Sequence, residues 1–445
     1  MSENLLSVGI DVGTTSTQLV VSRLRVENRA SAFAVPEMVI TDREICYRSP
    51  VHFTPLLEGN LVDGEKLRHI VEKEYKKSGI SRDEVDTGAV IVTGETSRRE
   101  NARTVLEALS EYAGDFVVTT AGPDLESVLA ARGAGAVDYS RDTGKSVLHM
   151  DIGGGTSNLS LIREGKILRT GCLNVGGRLV KFSELGEITD ISPVLSPICQ
   201  WKIGEIPTAQ QREALAETLT EALEMAAGRR EASPLLEQLM TEEASAPWIP
   251  PEETIVVSFS GGVADCIREE FSPMAFGDLG PELGRAIRRS SLCRGAHILG
   301  TETIRATVIG AGCHTTQLSG STVYYQNLCF PLKNLPVWEF SGMESGLAPP
   351  EGPVIVSLEG VQSPSYRQIR ELAQQILSRL KPPILLCLQQ DMAKALGQAL
   401  AVRLPPGTPV LCIDRIRVGS GSYLDIGAPV GNAMPVVVKT LVFSK

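Results

Sequence analysis

Two segments of this chain combine an aspartate, a glycine turn and threonine hydroxyls in an order that could hold a phosphate and a divalent cation. The first is Asp11-Val12-Gly13-Thr14-Thr15 and the second is Asp151-Ile152-Gly153-Gly154-Gly155-Thr156. A glycine turn between two strands can aim several backbone N–H groups at one point. Glycine also lets the backbone approach an anion closely, and threonine hydroxyls add donors. The aspartate cannot bind a phosphate itself, because like charges repel. It can hold the waters of a Mg²⁺ ion or orient an attacking water. Asp11 and Asp151 facing each other across a cleft would therefore clamp a metal–nucleotide from two sides. A third turn, Ser258-Phe259-Ser260-Gly261-Gly262, offers bare backbone at Gly261 and Gly262 against which a flat base can lie. No Gly-x-x-x-x-Gly-Lys-[Ser/Thr] loop and no Rossmann Gly-x-Gly-x-x-Gly after a strand is present, so the competing phosphate devices are absent.

These turns need rigid elements on either side. Val8-Gly9-Ile10 before the first and Gln18-Leu19-Val20-Val21 after it read as a hairpin; Val147-Leu148-His149-Met150 and Leu159-Ser160-Leu161-Ile162 frame the second in the same way. Two such hairpins, a domain's length apart, predict an internally duplicated architecture. Between them lie strand patterns at 89–92 and 116–118, an amphipathic helix at 97–112 and a small-residue helix at 125–136. Further on, Thr208-Ala209-Gln210-Gln211 is a capping box that opens a helix with Leu215, Leu219 and Leu223 on one stripe. Ile255 to Phe259 is a strand leading into the third glycine turn. A Pro/Gly-rich stretch, 342–353, reads as a linker. After it, strand 354–358, helix 364–380 capped by Ser363, strand 384–388, helix 392–403 and strand 410–413 form a further α/β unit.

Composition narrows the function classes. With 43 Lys+Arg against 53 Asp+Glu among 445 residues, the net charge of −10 argues against nucleic acid as a partner. Nine scattered cysteines without a CxxC pair argue for a reducing compartment and against a disulfide framework or an iron–sulfur cluster. No apolar run approaches the roughly 18 residues of a membrane span, and no basic n-region opens the chain, so a cytosolic protein with no membrane partner is expected. His149 lies two residues from Asp151 but reads as a hydrogen-bonded strand residue, since an isolated His lacks the multidentate pattern of a metal site. Arg285, Arg288, Arg289 and Arg294 read as a solvated helix face, and Cys266, Cys293 and Cys313 as packing residues.

The order of the three turns resembles the actin-like ATPase superfamily of actin, heat-shock chaperone ATPases and sugar kinases. The resemblance implies a duplicated α/β fold of two lobes around a nucleotide cleft, with residues 1–140 as the first lobe, 141–345 as the second and 346–445 as an added C-terminal α/β unit. It matches the family's phosphate loops to Asp11–Thr15 and Asp151–Thr156, its adenosine motif to Ser258–Gly262 and its two connecting helices to 121–136 and 307–322. ATP and Mg²⁺ are the implied ligands. Gly13, Thr14, Thr15, Gly153, Gly154, Gly155 and Thr156 would contact phosphates, Gly261 and Gly262 would face adenosine, and Asp11 and Asp151 would hold Mg²⁺ through water. Glu126 matches the carboxylate that orients the lytic water, with Asp124 as the alternative; here Pro123 precedes rather than follows the acid.

Longer stretches narrow the resemblance. Val8 to Val20, Ala121 to Val128, Tyr423 to Val430 and Val436 to Phe443 are similar to the reactivating factors of ethanolamine ammonia-lyase, over essentially the whole chain. That family implies a slow Mg²⁺-dependent ATPase acting as a chaperone. It would release damaged cobalamin from the blocked lyase so that intact adenosylcobalamin can bind. The lyase is then the partner, with residues 346–445 expected to dock it, and the family analogy adds association with a bacterial microcompartment. A small-molecule kinase and an ATP-dependent actin-like filament protein are the alternatives on the same fold.

Overall fold

The computed structural model describes residues 3–13, 16–28, 38–57, 61–93, 109, 118–120, 123–241, 255–314, 316–319, 322–340, 352–416, 418, 422–429 and 433–440. The first sheet is built from β1 (Glu3–Val12), β2 (Ser16–Asn28), β3 (Met38–Arg48), β5 (Thr87–Val92) and β6 (Val118–Thr120), in the order β3-β2-β1-β5-β6, with β4 (His52–Phe53) added against β2. β1, β2 and β3 form an antiparallel meander, while β5 and β6 run parallel to β1. Helix α1 (Gly64–Ser78) covers one face. Asp63 caps it by accepting from the Lys66 N–H at 3.0 Å, and its stripe of Leu67, Val71 and Tyr75 is buried in the first core.

The second sheet repeats the first strand for strand. β7 (Val147–Ile152), β8 (Ser157–Arg163), β9 (Lys166–Leu173), β12 (Val256–Ser260) and β13 (His297–Leu299) take the order β13-β12-β7-β8-β9. Again a three-stranded antiparallel meander comes first, and again the later strands run parallel to its first strand. Every residue of β7 is buried, as a central strand covered on both faces requires. The duplication expected from the two hairpins is therefore present at the level of topology. The α4 helix (Ala209–Ala226) starts at the expected capping box, with the Gln211 N–H donating to Thr208 Oγ1 at 3.2 Å and the Thr208 N–H to Gln211 Oε1 at 2.8 Å.

Helices α2 (Pro123–Gly133) and α7 (Ala306–His314) connect the lobes by exchange. α2 follows the first sheet but packs on the second, where Ala131 joins Val147, Ile162 and Val256. α7 follows the second sheet but packs on the first, burying Val308, Ile309 and Cys313 against Leu5, Val20, Leu24 and Val26. Small residues let the two cross closely. A Cβ on Gly133 would lie 1.9 Å from the Ala306 carbonyl oxygen, and one on Gly310 would lie 2.0 Å from that of Leu129. α3 (Ala136–Thr143) is separate from α2, because Gly135 takes a left-handed φ of 77° between them. The second connecting helix is shorter than expected: it ends at His314, and Thr316–Leu318 is already a strand.

The third sheet has eight strands, in the order β14-β21-β20-β16-β17-β18-β19-β15. Here β14 is Thr316–Leu318, β15 Tyr324–Gln326, β16 Leu332–Glu339, β17 Ile355–Leu358, β18 Ile384–Leu388, β19 Val410–Ile413, β20 Ser422–Ile426 and β21 Pro435–Thr440. The expected boundary at 345 falls inside this sheet: β14, β15 and β16 precede it in sequence yet pair with β21, β19 and β17. α8 (Tyr366–Arg379) and α9 (Ala393–Ala401) cover one face. The cap of α8 is Ser365 with Gln368, two residues after the expected Ser363, which takes a φ of 51°. Of the helix expected at 97–112 only Leu109 is described, helical and buried in the first core, and 341–351 of the expected linker lies outside the described residues.

Since a methyl group has no room at the helix crossing, Gly310→Ala and Gly133→Ala should each cost about 2 kcal/mol or more. Gly64→Ala, at the start of α1 where a Cβ meets nothing within 4 Å, should leave stability unchanged or slightly raised. Urea denaturation of the three variants beside the parent checks this.

Candidate functional site

Both glycine turns close in the same way. The Gly13 N–H donates to the Ser16 carbonyl and the Gly153 N–H to the Thr156 carbonyl, each at 2.9 Å. This puts Asp11 at the end of β1 and Asp151 at the end of β7 in equivalent places. Thr54 Oγ1 braces the first turn by donating to the Gly13 carbonyl at 2.8 Å. The second turn is braced by a segment that carries none of the Asp–Gly–Thr pattern. The Gly177 N–H donates to the Gly153 carbonyl at 3.0 Å and the Arg178 N–H to the Gly154 carbonyl at 2.6 Å. Gly176 lies so close that a Cβ would sit 2.3 Å from the Gly154 oxygen. The signal for it was Val175-Gly176-Gly177-Arg178, a glycine pair after a strand. Arg178 is anchored by Asp278, Nε to Oδ2 at 3.1 Å.

The third turn meets the second. Gly261 has a φ of 84°, and a Cβ there would lie 2.3 Å from the Ile152 carbonyl oxygen, so only glycine fits beside the strand that carries Asp151. Its N–H donates to the Thr303 carbonyl at 3.1 Å. Gly262 opens α5 (Gly262–Arg268), which α6 (Gly280–Arg289) follows before α7, and faces the Ile304 side chain. The structure thus brings together Asp11, Gly13, Asp151, Gly153, Gly154, Gly155, Thr156, Gly261 and Gly262. Thr14 and Thr15 lie outside the described residues. Glu126 is partly buried on the first turns of α2.

Hydroxyl groups serve both carboxylates. Thr93 Oγ1 donates to Asp11 Oδ1 at 2.9 Å, and Ser260 and Thr307 donate to Asp151. Burial pushes Asp11 up to about 7, with the Thr93 bond opposing and the Asp151 charge adding to the rise. Burial likewise pushes Asp151 up to about 6, opposed by Ser260 and Thr307. Behind Ser260 lies His149, wholly buried, with Nε2 2.9 Å from Ser260 Oγ and Nδ1 3.0 Å from Ser258 Oγ. Burial depresses it to about 3, so the ring is neutral. Ser260 has one hydroxyl hydrogen and gives it to Asp151, so its oxygen must accept from Nε2–H. Nδ1 then accepts from Ser258. His149 is the hydrogen-bonded strand residue that its isolation indicated, and it orients the donor to Asp151.

The donor set fits a hydrated hard cation. The two carboxylates interact with each other, and among the described residues no basic side chain pairs with either. Among the described residues no group of three or more His, Cys, Asp or Glu could hold a metal ion, so these residues alone would leave such an ion most of its waters. Other candidates stay outside. Arg288 caps the end of α5, donating to the carbonyls of Cys266, Ile267 and Glu269. The thiols of Cys266 and Cys293 are pushed up to about 12 and about 11 by burial, which keeps them protonated.

Two sheets of one topology, exchanging helices around a pair of interacting aspartates, define a two-lobed α/β protein of the actin-like build. The chain belongs to the ethanolamine utilisation protein EutA family, whose model matches residues 3–444. It is 38% identical over 478 aligned positions to the ethanolamine ammonia-lyase reactivase EutA of Salmonella typhimurium, covering 99% of each chain. It is 37% identical to the protein of that name from Escherichia coli, again over 99% of each. The solved Ppx/GppA family member from Aquifex aeolicus aligns over 69% of this chain and 97% of its own, at 13% identity and a TM-score of 0.42, too distant to add to the topology. No helix among the described residues is long and apolar enough to cross a membrane.

Both aspartates stand above their ordinary value of 3.8, so the folded state holds these protons more tightly than the unfolded chain. The resulting stabilisation is complete below the unfolded value and is lost as pH rises through about 6 and about 7. In EDTA, Asp11→Asn and Asp151→Asn should therefore each raise stability at pH 8 by on the order of 2 kcal/mol, with little effect at pH 4. Thermal unfolding at the two pH values checks the sign.

Proposed function

We propose that this chain is an ATP-dependent reactivating chaperone for ethanolamine ammonia-lyase, releasing damaged cobalamin so that intact adenosylcobalamin can enter. The observation that carries this reading is the full-length relationship, at 38% identity, to the reactivase of Salmonella typhimurium. The cleft supplies the means. The two phosphate loops, with Gly13, Thr14 and Thr15 on one side and Gly153, Gly154, Gly155 and Thr156 on the other, close on one triphosphate. Gly261 and Gly262 take the adenosine. Asp11 and Asp151 would hold Mg²⁺ through its waters; Thr93, Ser260 and Thr307, by donating to these carboxylates, favour their ionised, accepting form. When bound, Mg²⁺ neutralises charge on the phosphate oxygens. Glu126 orients the attacking water. Slow hydrolysis is enough, since the useful output is a change between two cleft states that differ in affinity for the lyase.

Docking of the lyase falls to the C-terminal unit, expected from 346–445 and joined in its sheet by the strands of 316–339. It has no counterpart in the duplicated pair of sheets, and its Val437 is buried with Leu129 of α2 and Ala311 of α7, the two connecting helices.

The test uses ethanolamine ammonia-lyase blocked with cyanocobalamin. This protein, adenosylcobalamin and Mg²⁺ are added with or without ATP, and ammonia release is followed. Activity should return only with ATP, and Asp151→Ala should abolish the return. Recovery without nucleotide, or full recovery with the variant, would overturn the clamp reading; no recovery under any condition would overturn the partner.

A further inference from the structure

The two hairpins share more than their aspartates. Seven residues after each comes an amide: Gln18 stands opposite Asp11 in the β1–β2 ladder, and Asn158 stands opposite Asp151 in the β7–β8 ladder. Both are buried, at 3% and 2% exposure. In both, the side-chain carbonyl oxygen has no hydrogen-bond partner among the described residues, Oε1 in Gln18 and Oδ1 in Asn158. Gln18 is held that way round because its Nε2 donates to the Ile304 carbonyl at 3.1 Å, across the interlobe boundary just before α7.

Residues opposite each other in an antiparallel pair project from the same face, with Cβ atoms roughly 5 Å apart. Each orphan carbonyl therefore neighbours a carboxylate. An amide oxygen and an ionised carboxylate are both acceptors, so once the aspartates lose their protons neither can satisfy the other, and a donor or a cation must stand between them. The same arrangement occurs twice, once in each lobe, on the two strands that carry the candidate metal-holding aspartates. Packing alone does not call for it, since apolar side chains such as Leu19 and Leu159 fill the neighbouring buried positions.

We infer that Gln18 Oε1 and Asn158 Oδ1 are further acceptors for the water shell of the cation, so that each lobe presents one carboxylate and one amide carbonyl. This rests on the nucleotide reading of the cleft. Mg²⁺ keeps several of its waters when bound, and each water has two hydrogens to place. A neutral amide accepts from those waters without adding negative charge beside a triphosphate, as a carboxylate in the same place would.

The probe is a non-hydrolysable ATP analogue, titrated calorimetrically into the full chain with Mg²⁺ and again with EDTA. The ratio of the two affinities is the cation increment. Gln18→Met and Asn158→Leu should each reduce that increment by about tenfold, the loss of one charge-assisted hydrogen bond, while affinity in EDTA stays at the parent value. Gln18→Glu and Asn158→Asp keep shape and an acceptor oxygen, and should hold the increment at or above the parent value. Apolar variants with the parent increment, or equal losses in both kinds of variant, would overturn the inference while leaving the nucleotide reading intact. Should the apolar variants fail to fold, the carboxylate variants decide alone, a fall in their increment being fatal. A parent that binds no analogue under either condition would overturn the nucleotide reading itself.

Discussion

Residues 303–308, the entry to α7, are where the parts of the cleft are fastened to each other. The Thr303 carbonyl receives the Gly261 N–H, and the Ile304 carbonyl receives Gln18 of the first hairpin. Thr307 donates to Asp151, while the Val308 carbonyl lies against Gly9 of β1, at 2.4 Å from where a Cβ would sit. One helical turn thus touches both strands that carry an aspartate and also the third glycine turn. It can do so because the helix runs on into Gly310, which lets α2 cross it closely, and Gly312, which lets β1 approach. Larger side chains at these places would push the sheets apart and separate Asp11 from Asp151.

A second consequence concerns polarity. The face of the second sheet that α2 covers is lined by small polar side chains as well as aliphatic ones. His149 and Asp151 on β7 lie opposite Ser258 and Ser260 on β12, and Ser160 on β8 donates to the Ser127 carbonyl of α2 at 2.9 Å. Buried polar groups are tolerated where each has a partner, and they then specify one arrangement more tightly than interchangeable methyl groups do. The Ser258–His149–Ser260–Asp151 chain is such a case. It ties the strand before the third turn to the strand before the second, so that two segments more than a hundred residues apart in sequence are aligned at one carboxylate.

How much of this could be read beforehand follows from how local each signal is. The two hairpins, the capping box at Thr208 and the strands at 384–388 and 410–413 rest on residues within a few positions of one another, and they stand where the sequence placed them. The limits of the C-terminal sheet did not, because β14, β15 and β16 are short edge or antiparallel strands whose partners lie up to about a hundred and twenty residues away, across the glycine-rich stretch. The end of α7 at His314 is not marked in the sequence, because Gly310 to Thr316 holds no proline and no charged residue to set it apart from the helix before it. In the site, Asp11 and Asp151 were legible from type and spacing. Thr93, Ser260, Thr307 and the Gly176–Gly177 brace were not, since their roles exist only once β5, β12, α7 and the loop after β9 converge.

That same passage from α7 to β14 bears on how the C-terminal unit is coupled to the cleft. β14 begins two residues after His314, and it pairs with β21, whose Val437 is buried among Leu129, Ala311, Ala89 and Ile91. The third sheet is therefore joined to the crossing helices twice, once through the chain and once through the core. A rotation of α7 relative to α2 cannot leave β14 and β21 where they were. Ionised together, Asp11 and Asp151 repel each other across the two sheets, and positive charge between them would remove that repulsion.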